Sequence, residues 1–283
     1  MKVMVTGAGG LVGSHLCQRL SLDFEVVALT HSDLDITDRA AVFECFTTIK
    51  PSLVINCAVI QVDDCERDPQ RAHAVNVEGP RNLAEAAADS MIEFVHFSTN
   101  YVFSGRELGR MPYTMKDAPD PINTYGRTKV AGEAAVRKAC AASYIIRTAR
   151  VYGRGKNSFL SSVVEHLARK QRVRAICDIW ANTTFVKDLL DRVVDILIHR
   201  HYGTYHVVNP GACSYYDFAA EAGRLLGLRK RELGKLIQVV REEQMERVAE
   251  RPRYTPMRCL LAEELGLAPM RHWHQALAAY VRS

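Results

Sequence analysis

The sequence predicts an α/β chain built on a doubly wound parallel sheet, with a smaller C-terminal lobe interleaved with the end of that sheet. Two observations carry the expectation. Short apolar runs alternate with helix-period segments over the first two thirds of the 283 residues, and a glycine-rich turn joins the first run to the first helix. The alternation weakens past Val151, so the sheet is expected mostly within residues 1–150 and the lobe within 151–283.

Lys2-Val3-Met4-Val5-Thr6 is a buried-strand pattern, followed by Gly7-Ala8-Gly9-Gly10-Leu11-Val12-Gly13 and a helical segment from Ser14 to Leu20. Strand, glycine turn and helix in that order form a dinucleotide cradle. Gly7 permits the tight turn, Gly10 lets a pyrophosphate approach the backbone, and Gly13 lets the helix pack closely on the strand. Glu25 to Thr30 reads as the second strand, and no acid stands at its end. Thr30, His31 and Ser32 are donors there, which favours a 2′-phosphate and hence NADP(H), with NAD(H) as the alternative. Asp33-Leu34-Asp35-Ile36-Thr37-Asp38 then leads into a helix that runs to Lys50. Next come the strand Leu53–Asn56, a helix from Pro69 to Asp89, the strand Ile92–Phe97, the Tyr125 helix and the strand Tyr144–Arg147. Beyond them, Phe159–Gln171, Phe185–Arg200 and Phe218–Leu226 are helical, and Tyr205–Val208 is strand-like.

An apolar fraction of 48% with 24% charged residues describes a globular chain with a substantial core. No apolar run reaches the length of a membrane span, and the first residues read as a strand rather than a signal sequence. The eight scattered cysteines form no C-x-x-C and read as free thiols in a reducing cytoplasm. The net charge of +5 arises between Arg224 and Arg258, where ten basic residues face five acids. A surplus that local suits a phosphate-bearing small molecule better than a nucleic acid; a solvated helix face is the plainer alternative.

Tyr125 and Lys129 stand four apart after the turn-like Pro121-Ile122-Asn123, which puts them on one helix face. A lysine beside a tyrosine is expected to lower the phenol pKa, so that Tyr125 can pass a proton to a carbonyl oxygen. With a dinucleotide cradle upstream, this is the chemistry of ketone reduction.

These pieces together resemble an extended short-chain dehydrogenase/reductase of the dTDP-4-dehydrorhamnose reductase branch. The likeness adds Val54-Ile55-Asn56-Cys57-Ala58, Val62-Asp63-Asp64-Cys65-Glu66, Asn76-Val77-Glu78-Gly79, Ser98-Thr99-Asn100-Tyr101-Val102-Phe103, Val151-Tyr152-Gly153 and Arg251-Pro252-Arg253, and so spans nearly the whole chain. The resemblance implies a Rossmann fold and a catalytic set of Thr99, Tyr125 and Lys129. It further implies a cofactor site of Gly7, Gly10, Leu11, Val12, Gly13, His31, Ser32, Asp35, Ile36, Cys57, Ala58 and Val59, with Asn56 beside them and Tyr125 and Lys129 at its nicotinamide end. The substrate implied is a nucleotide-diphosphate sugar, a 4-keto-6-deoxysugar, met by Asn100, Tyr101, Arg150 and, in place of a missing aromatic, Trp180.

Departures bear on the sugar. Asn100 stands where the family usually has aspartate, Arg150 where an aromatic can pack on the sugar, and Asp178–Thr184 lacks the usual Gln and Pro-Thr. They keep the reductase chemistry and point away from the rhamnose precursor itself. No metal is carried over, since His15 replaces the glutamate that some relatives use for magnesium between subunits. No nucleic acid or membrane partner is expected, and a homodimer is compatible with the chain. Two other functions share this fold: a cofactor-binding regulatory subunit like that of methionine adenosyltransferase, and a nucleotide-sugar epimerase.

Overall fold

The computed structural model describes residues 1–109, 111–155 and 158–283. In chain order the first half runs β1 (Lys2–Thr6), α1 (Leu11–Leu20), β2 (Glu25–Leu29), α2 (Arg39–Ile49), β3 (Leu53–Asn56), α3 (Val62–Arg67), α4 (Pro69–His73), α5 (Gly79–Asp89), β4 (Glu93–Thr99), α6 (Thr124–Ala139) and β5 (Ser143–Thr148). The second half holds β6 (Val151–Tyr152), α7 (Phe159–Ala168), β7 (Val173–Ile176), β8 (Trp180–Ala181), β9 (Thr184–Phe185), α8 (Val186–His199), β10 (Gly203–His206), α9 (Tyr215–Leu225), α10 (Lys230–Leu236), β11 (Ile237–Val240), β12 (Tyr254–Thr255), α11 (Leu260–Glu264) and α12 (Trp273–Arg282).

Six strands form one parallel sheet in the order β10-β5-β4-β3-β1-β2. Side chains alternate along each strand, so both faces need an apolar cover. Val3, Val5, Ile55, Val95 and Ile146 point to one face and share a core with Leu16 and Leu20 of α1 and Leu189 of α8, a core that continues into the lobe through Val163 and Leu167 of α7 and Phe218 of α9. Met4, Val54, Phe94 and Ile145 point to the other, beneath Val42 and Phe46 of α2, Leu83 and Ala87 of α5 and Val136 of α6. The order of strands reverses between β1 and β3, which opens a crevice at their carboxyl ends.

The helix expected from Pro69 to Asp89 is broken by a π-turn, Ala74–Glu78, between α4 and α5. Pro80 has no N–H for the Asn76 carbonyl, so the α-helical pattern cannot continue there. Gly132 allows α6 to lie against that carbonyl, since a Cβ would stand 2.2 Å from it. The short α3 and α11 carry too little periodicity to be foreseen, whereas α12 buries Trp273, Ala276, Leu277 and Tyr280 at helical spacing and was legible but passed over. The small ladders β7–β11, β8–β12 and β6–β9 escape for another reason: two of them are two residues long.

Candidate active site

Gly7 turns with φ +69°, and a Cβ on it would stand 2.4 Å from the Ala58 nitrogen. A Cβ on Gly13 would stand 2.3 Å from the Gly7 carbonyl, so helix and loop are in direct backbone contact. Gly10 is the N-cap of α1 and supplies no side-chain cap. The first amides of α1 are therefore left for an anion, at the positive end of the helix dipole. A cavity of about 470 Å³ lies over this cradle, lined by Gly7, Gly10, His31, Asp35, Ile36, Ala58 and Val59. A second, of about 600 Å³, shares Gly10 and Val59 with it and continues past Leu11, Val12, Gly13 and Cys57 to Thr99, Asn100, Tyr101, Tyr125, Lys129 and Arg150. The two form one cleft, and its glycine cradle fits the pyrophosphate of a dinucleotide.

At the end of β2 the structure corrects the sequence reading. Asp33 folds back and accepts from the Thr30 amide at 2.8 Å and the Thr30 hydroxyl at 2.6 Å, so an acid does stand at the strand end. Thr30 and Ser32 are also in contact with each other, at 2.8 Å between their hydroxyls. Ser32 is not among the cavity-lining residues, whereas His31 is. Arg71 of α4, which sequence reasoning passed over, lines the same cavity with no ion-pair partner among the described residues.

Glu66 of α3 accepts from the Thr124 amide and hydroxyl, both at 2.7 Å, and Asn123 caps Gly126 at 2.8 Å. Together they fix the start of the helix that carries Tyr125 and Lys129. The phenol lines the cleft with the Thr99 hydroxyl, which draws its pKa down, and Tyr101 packs edge-on against it at 5.7 Å between centroids. Burial pushes the Tyr125 phenol up to about 12, outweighing the downward pull of the Thr99 hydroxyl. The expected lowering by Lys129 is thus overturned: its Nζ donates to the Phe97 carbonyl at 2.7 Å and lies 3.1 Å from His96 Nε2. Burial in turn brings Lys129 down to about 8.

Ser98, the alternative hydroxyl, donates to Glu133 at 2.6 Å. Glu133 also holds Arg147 through two bonds of 2.8 and 2.7 Å. Asn56 turns away from the cofactor cleft into the core, accepting from Thr6 at 2.8 Å. Cys57 lines the cleft, with its thiol pushed well up by burial.

At the far end of the cleft, Arg150 donates to the Cys213 and Ile179 carbonyls at 2.9 and 3.1 Å and stacks on Tyr215 at 4.0 Å. The cation is therefore bound to the lobe, and Tyr215, which the sequence did not flag, brings an aromatic ring to the cleft. Asn100 donates to Thr255 at 2.7 Å, tying the cleft to β12. Trp180 pairs through its backbone with Tyr254 and is not among the residues lining the cleft. Two motifs far apart in sequence meet here, since Arg251 makes a two-bond pair with Asp63 that holds its carboxyl down at about 2. Much of the basic surplus pairs locally, as Arg224–Glu221, Arg229–Glu232 and Arg258–Glu263. No helix is long and apolar enough to cross a membrane among the described residues.

The model of the RmlD substrate binding domain matches residues 1–283. The chain is 38% identical to the dTDP-4-keto-6-deoxy-D-glucose reductase of Streptomyces niveus, over 97% of this chain and 94% of that one. It is 36% identical to the spore coat polysaccharide biosynthesis protein SpsK of Bacillus subtilis, over 99% and 97%. Among solved structures, the dTDP-4-dehydrorhamnose reductase of Bacillus anthracis in complex with NADP superposes with a TM-score of 0.91 at 29% identity, covering 99% and 98%.

Proposed function

The chain belongs to the family of the RmlD substrate binding domain, and we propose that it is an NADPH-dependent reductase of a dTDP-linked 4-keto-6-deoxysugar. The observation that carries this reading is the meeting of Thr99, Tyr125 and Lys129 at the far end of a cleft whose near end is the glycine cradle. Relatives named as reductases align with the chain over nearly its full length and give that meeting its substrate class.

Gly7, Gly10, Leu11, Val12 and Gly13 would hold the pyrophosphate; Asp35, Ile36, Ala58 and Val59 the adenosine; Lys129 the nicotinamide ribose. When bound, the reduced nicotinamide supplies the hydride. Tyr125 keeps its proton at neutral pH because burial raises its pKa to about 12. A donor that weak loses its proton only to an oxygen that is gaining negative charge, which is the carbonyl oxygen of the sugar during reduction. The Thr99 hydroxyl, which lines the same end of the cleft, would position that same oxygen. Lys129 restores the proton to Tyr125. On the other side of the sugar, Asn100, Tyr101 and the Arg150–Tyr215 stack form the wall that would select it.

Mixing the protein with NADPH and a panel of dTDP-4-keto-6-deoxysugars tests the reading. Loss of nicotinamide absorbance with formation of a reduced sugar, abolished in Tyr125→Phe, is the expected result. NADPH binding without turnover of any sugar in the panel would overturn it.

A further inference from the structure

Behind Lys129 lies a chain of buried polar groups whose hydrogen positions can be worked out one by one. The Ala58 backbone N–H points at Asn56 Oδ1 from 2.9 Å. A backbone amide can only donate, so the oxygen of Asn56 must face it, and Thr6 donates to the same oxygen at 2.8 Å. Asn56 Nδ2 then faces His96 Nδ1 at 3.2 Å, which makes Nδ1 the acceptor. A neutral imidazole carries one N–H, so the proton sits on Nε2, 3.1 Å from Lys129 Nζ. An amine has a lone pair to receive that proton; an ammonium has none. Protonating His96 as well would set two donors against each other at Asn56. All four side chains, Thr6, Asn56, His96 and Lys129, are 0–1% exposed, so water cannot relieve the mismatch.

We propose that His96 is a positioning residue of the proton relay: the tautomer dictated by Asn56 favours the amine form of Lys129 and makes its ammonium a ready proton donor. After the sugar oxygen takes the Tyr125 proton, the Lys129 ammonium, which lines the same cleft, is the source of the proton that restores the phenol. The amine left behind accepts the His96 N–H bond and regains its proton by way of the cleft that it lines, once the product has left. The groups facing Lys129 are Cys57 beyond β3, Cys65 on α3, His96 on β4 and Glu133 on its own helix; Arg137 also faces His96. Burial lowers Lys129 to about 8 against the pull of Glu133, whose charge is shared with Arg147 and Arg137. Burial foremost, then the Lys129 and Arg137 charges, keep His96 neutral. Since the relay needs the ammonium, kcat falls as pH rises through about 8.

This deepens the reductase reading and rests on it for the relay, but its first test needs no turnover. In histidine-labelled, cofactor-free protein, ¹⁵N NMR is expected to show His96 protonated at Nε2 and bare at Nδ1, with His96→Gln giving the assignment. The opposite tautomer overturns the proposal. The second test is Asn56→Asp, whose two acceptor oxygens force Nδ1 to donate and turn a lone pair toward Lys129. The same spectrum should flip. The alkaline limb of kcat and the Lys129 ¹³Cε titration in lysine-labelled protein should both rise by about one pH unit or more. A flipped tautomer with an unmoved or lowered lysine titration sinks the idea. Should Asn56→Asp not fold, the tautomer of the parent protein decides alone. If tautomer and titration behave as expected but no sugar is reduced, the reductase reading fails and the network stands.

Discussion

The sheet and the lobe beyond it solve the same problem, pairing buried polar groups, by different means. In the sheet, ladders of four to six residue pairs satisfy the backbone, which leaves side chains such as Glu133 and Arg147 to pair with one another. In the lobe two of the ladders are two pairs long, and side chains take over the backbone's bonds. Asn182 donates to the Asn209 and Gly211 carbonyls and accepts from Met257, while Asn209 accepts from Phe185 and donates to the Arg271 carbonyl. Both asparagines are 0–1% exposed. The consequence is a division of labour. On the proposed reading, the frame that places the proton donor rests on regular backbone ladders, and the lobe that carries the wall of the cleft rests on a few side chains.

If that division holds, the largest effects belong to the frame. Tyr125→Phe should lower kcat by about 10²–10⁴-fold while leaving NADPH affinity unchanged, read by steady-state kinetics and fluorescence titration. A parallel loss of NADPH binding would mean that the helix, not the proton, had been disturbed. Glu133→Gln leaves Arg147 buried without its counter-ion and should cost roughly 3–5 kcal/mol in chemical denaturation. An unchanged midpoint would show that Arg137 and Ser98, or water, can absorb the loss, and that the frame is less stiff than its bonding implies.

The same contrast explains what could be read from the sequence. The strands of the sheet and the helices α1, α2 and α6 were legible because each is a local period bounded by its own cap or turn, such as Gly10 or Asp38. Tyr125, Lys129 and the glycine loop were legible because their chemistry depends on short spacings. Tyr215 and Arg71 were not: each reaches the cleft from a segment whose placement is set by packing, and neither has a spacing that marks it. Asp33 was misjudged since the strand end was read residue by residue, whereas a turn of three residues brings its carboxylate back to Thr30. His96 is a lone histidine in a strand, and only the register with Asn56 on β3 gives it meaning.

A smaller effect, and one confined to the wall, is expected from Arg150→Met. Losing its donors to two carbonyls should cost about 1–2 kcal/mol of stability and raise the KM for the sugar more than it lowers kcat. Arg150→Trp, which offers a flat face at the same place, should change the order of preference across a panel of dTDP-sugars. Equal effects on every sugar would move Arg150 from the wall to the frame and weaken the division drawn above.

The smallest effect lies at the adenosine end, where frame and wall meet. Asp35 lines the cavity there and Asp33 is bonded to Thr30 beside it, the two held down chiefly by hydrogen bonds from Thr37 and Thr30 in turn, against His31 and Arg71, which has no ion-pair partner among the described residues. A 2′-phosphate approaching this end is repelled by the acids, so a preference for NADPH must come from the cations. Arg71→Ala should therefore weaken NADPH roughly tenfold, ~1.4 kcal/mol, and leave NADH unchanged in fluorescence titrations. Asp33→Asn should act in the opposite sense, tightening NADPH relative to NADH. Were Arg71→Ala to weaken both nucleotides alike, the guanidinium would be stacking on the adenine they share, and the phosphate would have to be held by His31 and the loop amides.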